Sequence, residues 1–341
     1  MKKFVMFAAA VAVLATSCSK EFENAEPVLN NTDATIGFTD FTENAVRAAG
    51  KTAFVSGDAF KVYGVKTVDG NEITVFPGTT VTKGTSDWTY SPLKAWDKQA
   101  SQYDFFAYYP ASQTTTYSAS ANNGLFAFSN AVTFDGTKGT DLMVAEPKEV
   151  QQANFSTIPV NLTFHHAASL VDVKVKKSTA LKDAEVILKE LSIKSVDNVG
   201  TPKVTGYATT SSMKPTISWT KGTGTTNYAA TETLPITLSE TAYSATVTDL
   251  VTLPHTLSTS AKLVVKYTIG GEEFTRDVKL TEFVTTDTQT NPTPKFVSAW
   301  EQGTHYTYNL TINADVITFT ADIADWTENT DQGYYYSDDE N

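Results

Sequence analysis

Alternation of apolar and polar residues with a period of two runs through most of this chain, and that period belongs to β-strands. Its first instance is Thr35-Ile36-Gly37-Phe38-Thr39, in which Ile36 and Phe38 share one face. Phe54, Phe60, Val62, Tyr63 and Val65 follow around a Gly57-Asp58 turn. Further strands are expected at 72–76, 103–109, 125–128, 131–134 and 141–145. Asp69-Gly70, Pro77-Gly78, Pro110, Asn123-Gly124 and Asp135-Gly136 punctuate them. Two strong runs come next, Pro159–Phe164 and Leu170–Val175. In the second, Val171, Val173 and Val175 line one face, and Asp172, Lys174 and Lys176 the other. Later strands fit 186–195, 203–208, 215–219, 245–249, 262–269, 272–280, 304–313 and 316–324. The runs 262–269 and 272–280 flank Gly270-Gly271, the dipeptide a tight hairpin turn requires. No segment sustains a helical period, and only 92–100, 180–184 and 295–300 leave room for short helices. Many short strands between frequent turns predict an all-β protein of sandwiches or barrels.

The opening residues obey a different rule. Lys2 and Lys3 precede an apolar stretch, Phe4 to Ala15, that is too short to span a bilayer stably. Leu14-Ala15-Thr16-Ser17-Cys18 then places small residues before the only cysteine of the chain, with Leu14 one place further from it than is usual. This is the pattern of a lipoprotein signal peptide, residues 1–17, with lipid expected on Cys18 and the outer membrane as its destination. Ser19 to Glu23 is partly acidic, in the manner of a surface-export tag, and residues 19–34 read as a polar tether. With one cysteine there is no disulfide, so stability must come from packing.

Composition narrows the function. The 341 residues carry a formal net charge of −12, which disfavours nucleic acid as a partner. Only Arg47 and Arg276 among the 26 basic residues are arginines, so an arginine-specific protease meets two candidate bonds. Arg47 lies in a loop of Ala, Val and Gly, whereas Arg276 shares a strand face with Phe274 and Val278.

A search for catalytic or metal chemistry returns little. Gly50-Lys51-Thr52 has the end of a phosphate-binding loop, but Ala45 stands where that loop needs glycine. His165 and His166 are neighbours on a strand and so point to opposite faces; His255 and His305 stand apart from them. Asp338-Asp339-Glu340 lacks the glycine and spacing of a calcium loop. No Gly-x-Ser-x-Gly elbow is present. The expectation is a protein without cofactor, metal or enzymatic activity.

Several stretches, in order, resemble the fimbrillin family of type V pilins. They are Phe54–Gly64; Trp88-Thr89-Tyr90 with Trp96 and Tyr103–Pro110; Thr140–Ala145; Phe164–Leu170; and Trp300, Gly303, Tyr306, Tyr308 and Ile323–Trp326. One departure is Pro254-His255, where related sequences often have Pro-Gln. The resemblance implies two tandem transthyretin-like β-sandwich domains, placed here at 48–162 and 163–326, followed by a Tyr-containing acidic tail at 327–341. It implies a fimbrial subunit for adhesion, polymerising with like or different subunits and engaging a host or bacterial surface receptor. It also implies maturation, in which a protease cuts between Arg47 and Ala48 and removes residues 18–47. Ile36 and Phe38 would then be the pocket-filling residues of a removable strand. Ile317, Phe319, Ala321 and Ile323 alternate on one face and are candidate donor residues, although a last core strand has the same pattern. A second class, a glycan-binding surface lipoprotein of a nutrient-uptake system, would need exposed aromatic platforms among Trp88, Trp96, Trp219, Trp300 and Trp326.

Overall fold

The computed structural model describes residues 35–42, 54–118, 125–136, 141–155, 159–209, 213–285 and 296–326. Cys18, the Arg47-Ala48 bond, Gly50–Thr52 and the 327–341 tail lie outside them. Among the described residues the elements are strands and three single 3-10 turns, Gln152–Asn154, Thr179–Leu181 and Leu280–Glu282. Of the three places left open for helices, only 180–184 overlaps such a turn. Between residues 92 and 100 the chain makes strand-like contacts instead, with Thr35 bridged to Ala95. Ala299–Trp300 is a short strand paired with His255–Thr256.

The first half is built on one large sheet. Its strands run in the order Phe38–Thr42, Val160–His166, Met143–Ala145, Gln102–Tyr109, Ala59–Val68, Asn71–Lys83 and Trp88–Thr89, with Lys148–Gln151 also on Gln102–Tyr109. Period-two alternation in Gln102–Tyr109 sends Tyr103, Phe105 and Ala107 to one face, and Phe106 and Tyr108 to the other. The first face is the aromatic core, with Phe60, Phe76, Trp88, Trp96, Phe155 and Phe164. Gly64 sits in that core because a Cβ there would lie 2.9 Å from Phe76 and 3.1 Å from Phe105.

The other face packs on a second sheet, ordered Pro215–Lys221, Val199–Tyr207, Leu125–Phe128 and Thr115–Ser118, with Val132–Thr133 also on Val199–Tyr207. This sheet draws strands from both halves of the chain: Lys203 pairs with Ala127, and Val199 with Thr133. The boundary placed at 162/163 therefore falls inside the Val160–His166 strand, and the 199–221 hairpin lies on the first half. Period-two patterning locates strands but does not say which sheet a hairpin joins.

The second half is a sandwich. One sheet runs Ser244–Thr252, Ser169–Lys177, Thr304–Ile312, Ile317–Asp325 and Val284–Thr285; the other runs Thr225–Ala229, Val186–Asp197, Lys262–Ile269 and Glu272–Lys279, with Ile236–Thr237 on Val186–Asp197. Val171, Val173 and Val175 face its core as the alternation required, against Leu188, Ile193, Leu263 and Val265 among others. The hairpin at Gly270-Gly271 forms as expected, with φ of +58° and +92° at the two glycines.

Candidate functional site

The segment beginning at Thr35 stands between two ends of the large sheet. On one side Phe38–Thr42 pairs in parallel with Val160–His166, Phe38 opposite Val160. On the other, Ile36 N–H donates to the Lys94 carbonyl (2.9 Å) and Thr35 bridges to Ala95. The Val160 N–H donates to the Gly37 carbonyl at 2.8 Å. Lys94 and Ala95 follow the sheet's last strand, Trp88–Thr89, so this short segment fills the opening of a curled sheet.

Its side chains enter the aromatic core. Ile36 is 1% exposed and Phe38 5%. The Phe38 ring meets Phe76, Tyr90, Phe105 and Phe60 edge-on, with centroids 5.5, 5.7, 5.8 and 6.1 Å away. Burying each of these two side chains is worth about 1.5–3 kcal/mol. Tyr90 adds a polar hold, since its phenol donates to the Ile36 carbonyl at 2.7 Å and accepts from Lys94 N–H at 3.3 Å. Burial pushes that phenol's pKa up, against the Lys94 bond, so it stays a donor. Tyr90 belonged to an aromatic motif in the sequence, but no local pattern marks a phenol that bonds a backbone 54 residues away.

The candidate donor residues lie in a strand at home in the second half. Ile317–Asp325 pairs antiparallel with Thr304–Ile312 along its length, and among the described residues its outer side meets Val284–Thr285, at Thr320 and Ala321. Ile317 and Ala321 are buried, Phe319 is half-buried against Phe283, and Ile323 is 44% exposed. Beyond the strand, Trp326 is buried and its ring stacks on His166 at 3.8 Å, while its backbone N–H donates to the Gly303 carbonyl.

The histidines occupy four separate settings. His165 bonds Glu146 (2.7 Å), His166 bonds Asp141 (2.9 Å), and His305 bonds Asp172 (3.0 Å). His255 Nδ1 lies 2.7 Å from the Leu253 carbonyl. No cluster of three ligating side chains occurs among the described residues. Trp88, Trp96, Trp300 and Trp326 are buried. Trp219 is half-buried, with its indole N–H on the Ala167 carbonyl and its ring edge against Phe134. None of the five tryptophans is an exposed platform. Arg276 is exposed on the edge strand Glu272–Lys279, whose backbone is paired on one side with Lys262–Ile269.

The fold and this groove define a class: an all-β protein of packed sheets in which a short N-terminal strand completes the core. Crystal structures of three Bacteroides proteins share the architecture. A fimbrial protein from Bacteroides vulgatus aligns with a TM-score of 0.55 and 18% identity, over 86% of this chain and 99% of that one. A candidate cell-adhesion protein from Bacteroides uniformis aligns at 0.51 and 19%, over 88% and 100%. Another from Bacteroides ovatus aligns at 0.51 and 16%, over 87% and 99%. At these identities the likeness is one of fold. No curated protein matches the chain in sequence. The fimbrillin-like family model does, over residues 46–326, and the chain belongs to that family.

Proposed function

We propose that this protein is a cell-surface fimbrial subunit assembled by strand exchange. Membership of the fimbrillin-like family supports the subunit role and a non-enzymatic protein. The observation that carries the exchange is the opening segment itself. It is short, joined to the rest of the fold at the sheet's opening, and contributes Ile36 and Phe38 to the core at 1% and 5% exposure. Arg47 and Ala48 follow it in sequence, ahead of Phe54, which lies in the core against Trp88, Tyr109 and Phe164. A cut between Arg47 and Ala48 by an arginine-specific protease frees the segment from the remaining chain. Its departure leaves the Val160–His166 edge without a partner and bares an apolar slot, a template for another extended strand. Cys18 carries the lipid that holds the precursor at the outer membrane, and a strand of another subunit fills the slot. The candidate donor face is Ile317, Phe319, Ala321 and Ile323.

The test is to treat the exported precursor with an arginine-specific protease and to follow the new N-terminus and the particle size together. Ala48 as the new first residue, with growth of oligomers, is expected. A chain cut there that stays monomeric argues against exchange; a chain left whole at that bond argues against the maturation step.

A further inference from the structure

Two strand edges in this molecule are closed by a side chain. Along Ser244–Thr252 the outer flank is held by Thr231, whose N–H donates to the Thr246 carbonyl and whose Oγ1 accepts from Thr248 N–H, both at 2.9 Å. Along Pro215–Lys221 the Gln302 carboxamide takes the same part, on Ile217 N–H and the Pro215 carbonyl. Glu272–Lys279 is covered differently. It ends its sheet, pairs with Lys262–Ile269 on one side, and among the described residues meets no strand on the other. An open ladder of 8 residues is a template for a further strand.

The turn fixes which groups face outward. A two-residue turn at Gly270-Gly271 makes Ile269 and Glu272 a hydrogen-bonded pair, and pairs of that kind recur at every second residue. The backbone of Phe274, Arg276 and Val278 is therefore engaged with the inner neighbour. The N–H and C=O groups of Glu273, Thr275, Asp277 and Lys279 point to the open side. Arg276 stands in the middle of this edge. It shares the face on which Val278 is buried and Phe274 packs on the core, yet it is exposed. Its guanidinium lies 5.7 Å from the Phe274 ring, and its Nη1 donates at 3.1 Å to the Thr275 carbonyl, one of the outward groups. That double contact needs a planar fork, which accounts for arginine here in a chain whose other basic residues, Arg47 excepted, are lysines.

We infer that the Glu272–Lys279 edge fits the same edge of a second copy of this chain, and that Arg276 keeps the two apart. Placed antiparallel about a two-fold axis through Arg276, the strands bring Glu273 opposite Lys279, Phe274 opposite Val278 and Thr275 opposite Asp277, each pair occurring twice. The outward groups of all four outward-facing residues then pair across the junction. Glu273 and Lys279 each keep a partner at home, Lys266 and Glu282, on exposed side chains that can take a second. Moving the axis to Thr275 sets Glu273 against Asp277, and moving it to Asp277 sets that carboxylate against its own copy; like charges disfavour both. The register at Arg276 has one fault, two guanidinium groups directly opposed on the same face. A charge on the core-side face of an edge strand is a device against edge-to-edge pairing. Arg276 thereby closes this edge and leaves contact between copies to other surfaces. The inference holds whether or not strands are exchanged at the slot.

The test uses the uncut full-length chain. Arg276→Thr and Arg276→Val each remove the charge and supply a residue that suits strands. Both are expected to keep at least the parent's urea midpoint and to show twice its molar mass in light scattering. A carbodiimide, which joins a carboxylate to an amine in contact, is expected to link Glu273 to Lys279 in both variants and not in the parent. Along one strand these residues are about 20 Å apart, so the link reports two copies. Adding Thr275→Pro removes an outward N–H, a change that edge strands tolerate, and should restore the parent's mass and abolish the link. Either variant at the parent's mass overturns the inference. A dimer that lacks the Glu273–Lys279 link, or that survives Thr275→Pro, does so too. A fall in the urea midpoint would mean that Arg276 holds the fold and not the edge, which overturns it as well.

Discussion

At the scale of single residues, the slot concentrates its energy in few atoms. Phe38 touches four rings and has almost no exposure, so Phe38→Ala should lower stability by about 3–5 kcal/mol in urea denaturation, the usual toll of an emptied aromatic site. Tyr90→Phe keeps the ring and removes one hydroxyl with two partners, and should lose about 1–2 kcal/mol. If it loses nothing, the hydroxyl is not a hold on the strand. Ile36 and Phe38 were legible because alternation assigns them to one face; Tyr90 was not, since its partner is a carbonyl far away in sequence. His255 gives a pH test. Burial holds its imidazole below the ordinary 6.5, against the Leu253 carbonyl and Asp197, which raise it. The folded state thus keeps this ring neutral while the unfolded chain binds a proton near pH 6.5. Stability from this site is intact above that pH and falls as the pH drops below it, by at most about 1.4 kcal/mol per pH unit. His255→Asn should flatten that slope between pH 7 and 5 in equilibrium unfolding.

At the scale of elements, the long alternating runs gave strands, because in a sheet one face is buried and the period is fixed by the pleat, whereas Thr115–Ser118, Lys148–Gln151 and Thr225–Ala229 were not expected and Pro77-Gly78, read as a turn, lies inside the strand Asn71–Lys83. The run expected at 316–324 is Ile317–Asp325, and that at 262–269 has the same bounds in the fold. Pairing partners were not legible in this way. Ile317–Asp325 could be assigned as core strand or donor from its pattern, and its place in the structure explains why: inner side fully paired, outer side paired, among the described residues, at Thr320 and Ala321, and Ile323 exposed. Such a strand should open before its neighbours. Native-state hydrogen exchange is expected to show lower protection for the amides of Thr318 and Asp322–Asp325 that face outward than for Tyr306–Leu310, which have ladders on both sides. Equal protection across both strands would mean that the C-terminal strand is held as firmly as the sheet's centre.

At the scale of the whole molecule, the two halves interlock rather than follow one another. The face formed by Phe106, Tyr108 and Val144 in the first half is covered by a layer to which the second half contributes Val204 and Ile217. A further cluster joins Val132 and Phe134 to Leu170, Val251, Leu253 and Trp326. Gln302 ties the seam, accepting from Ile217 N–H and donating to the Pro215 carbonyl at 2.9 Å each. Tandem order along the chain concealed this, since the strands at 199–207 and 215–221 read the same wherever they dock. The interlock has a measurable consequence. A fragment ending at residue 162 cuts the Val160–His166 strand and lacks the hairpin that pairs with Ala127 and Thr133, so it exposes Phe126 and Phe128. It should be insoluble or unfolded, whereas the full chain should unfold in one transition seen alike by tryptophan fluorescence and far-ultraviolet circular dichroism. The same argument bears on assembly. If the halves unfolded separately, a strand lost from the second half could leave the slot in the first half intact. With a shared layer between them, the slot keeps its shape only while the rest of the molecule stays folded. Under the proposed exchange, a donor strand must therefore leave its own sheet without loosening that seam. Trp326, buried beside His166 at the strand's end, is where the two demands meet, and Trp326→Ala should lower the full chain's melting temperature while keeping a single transition.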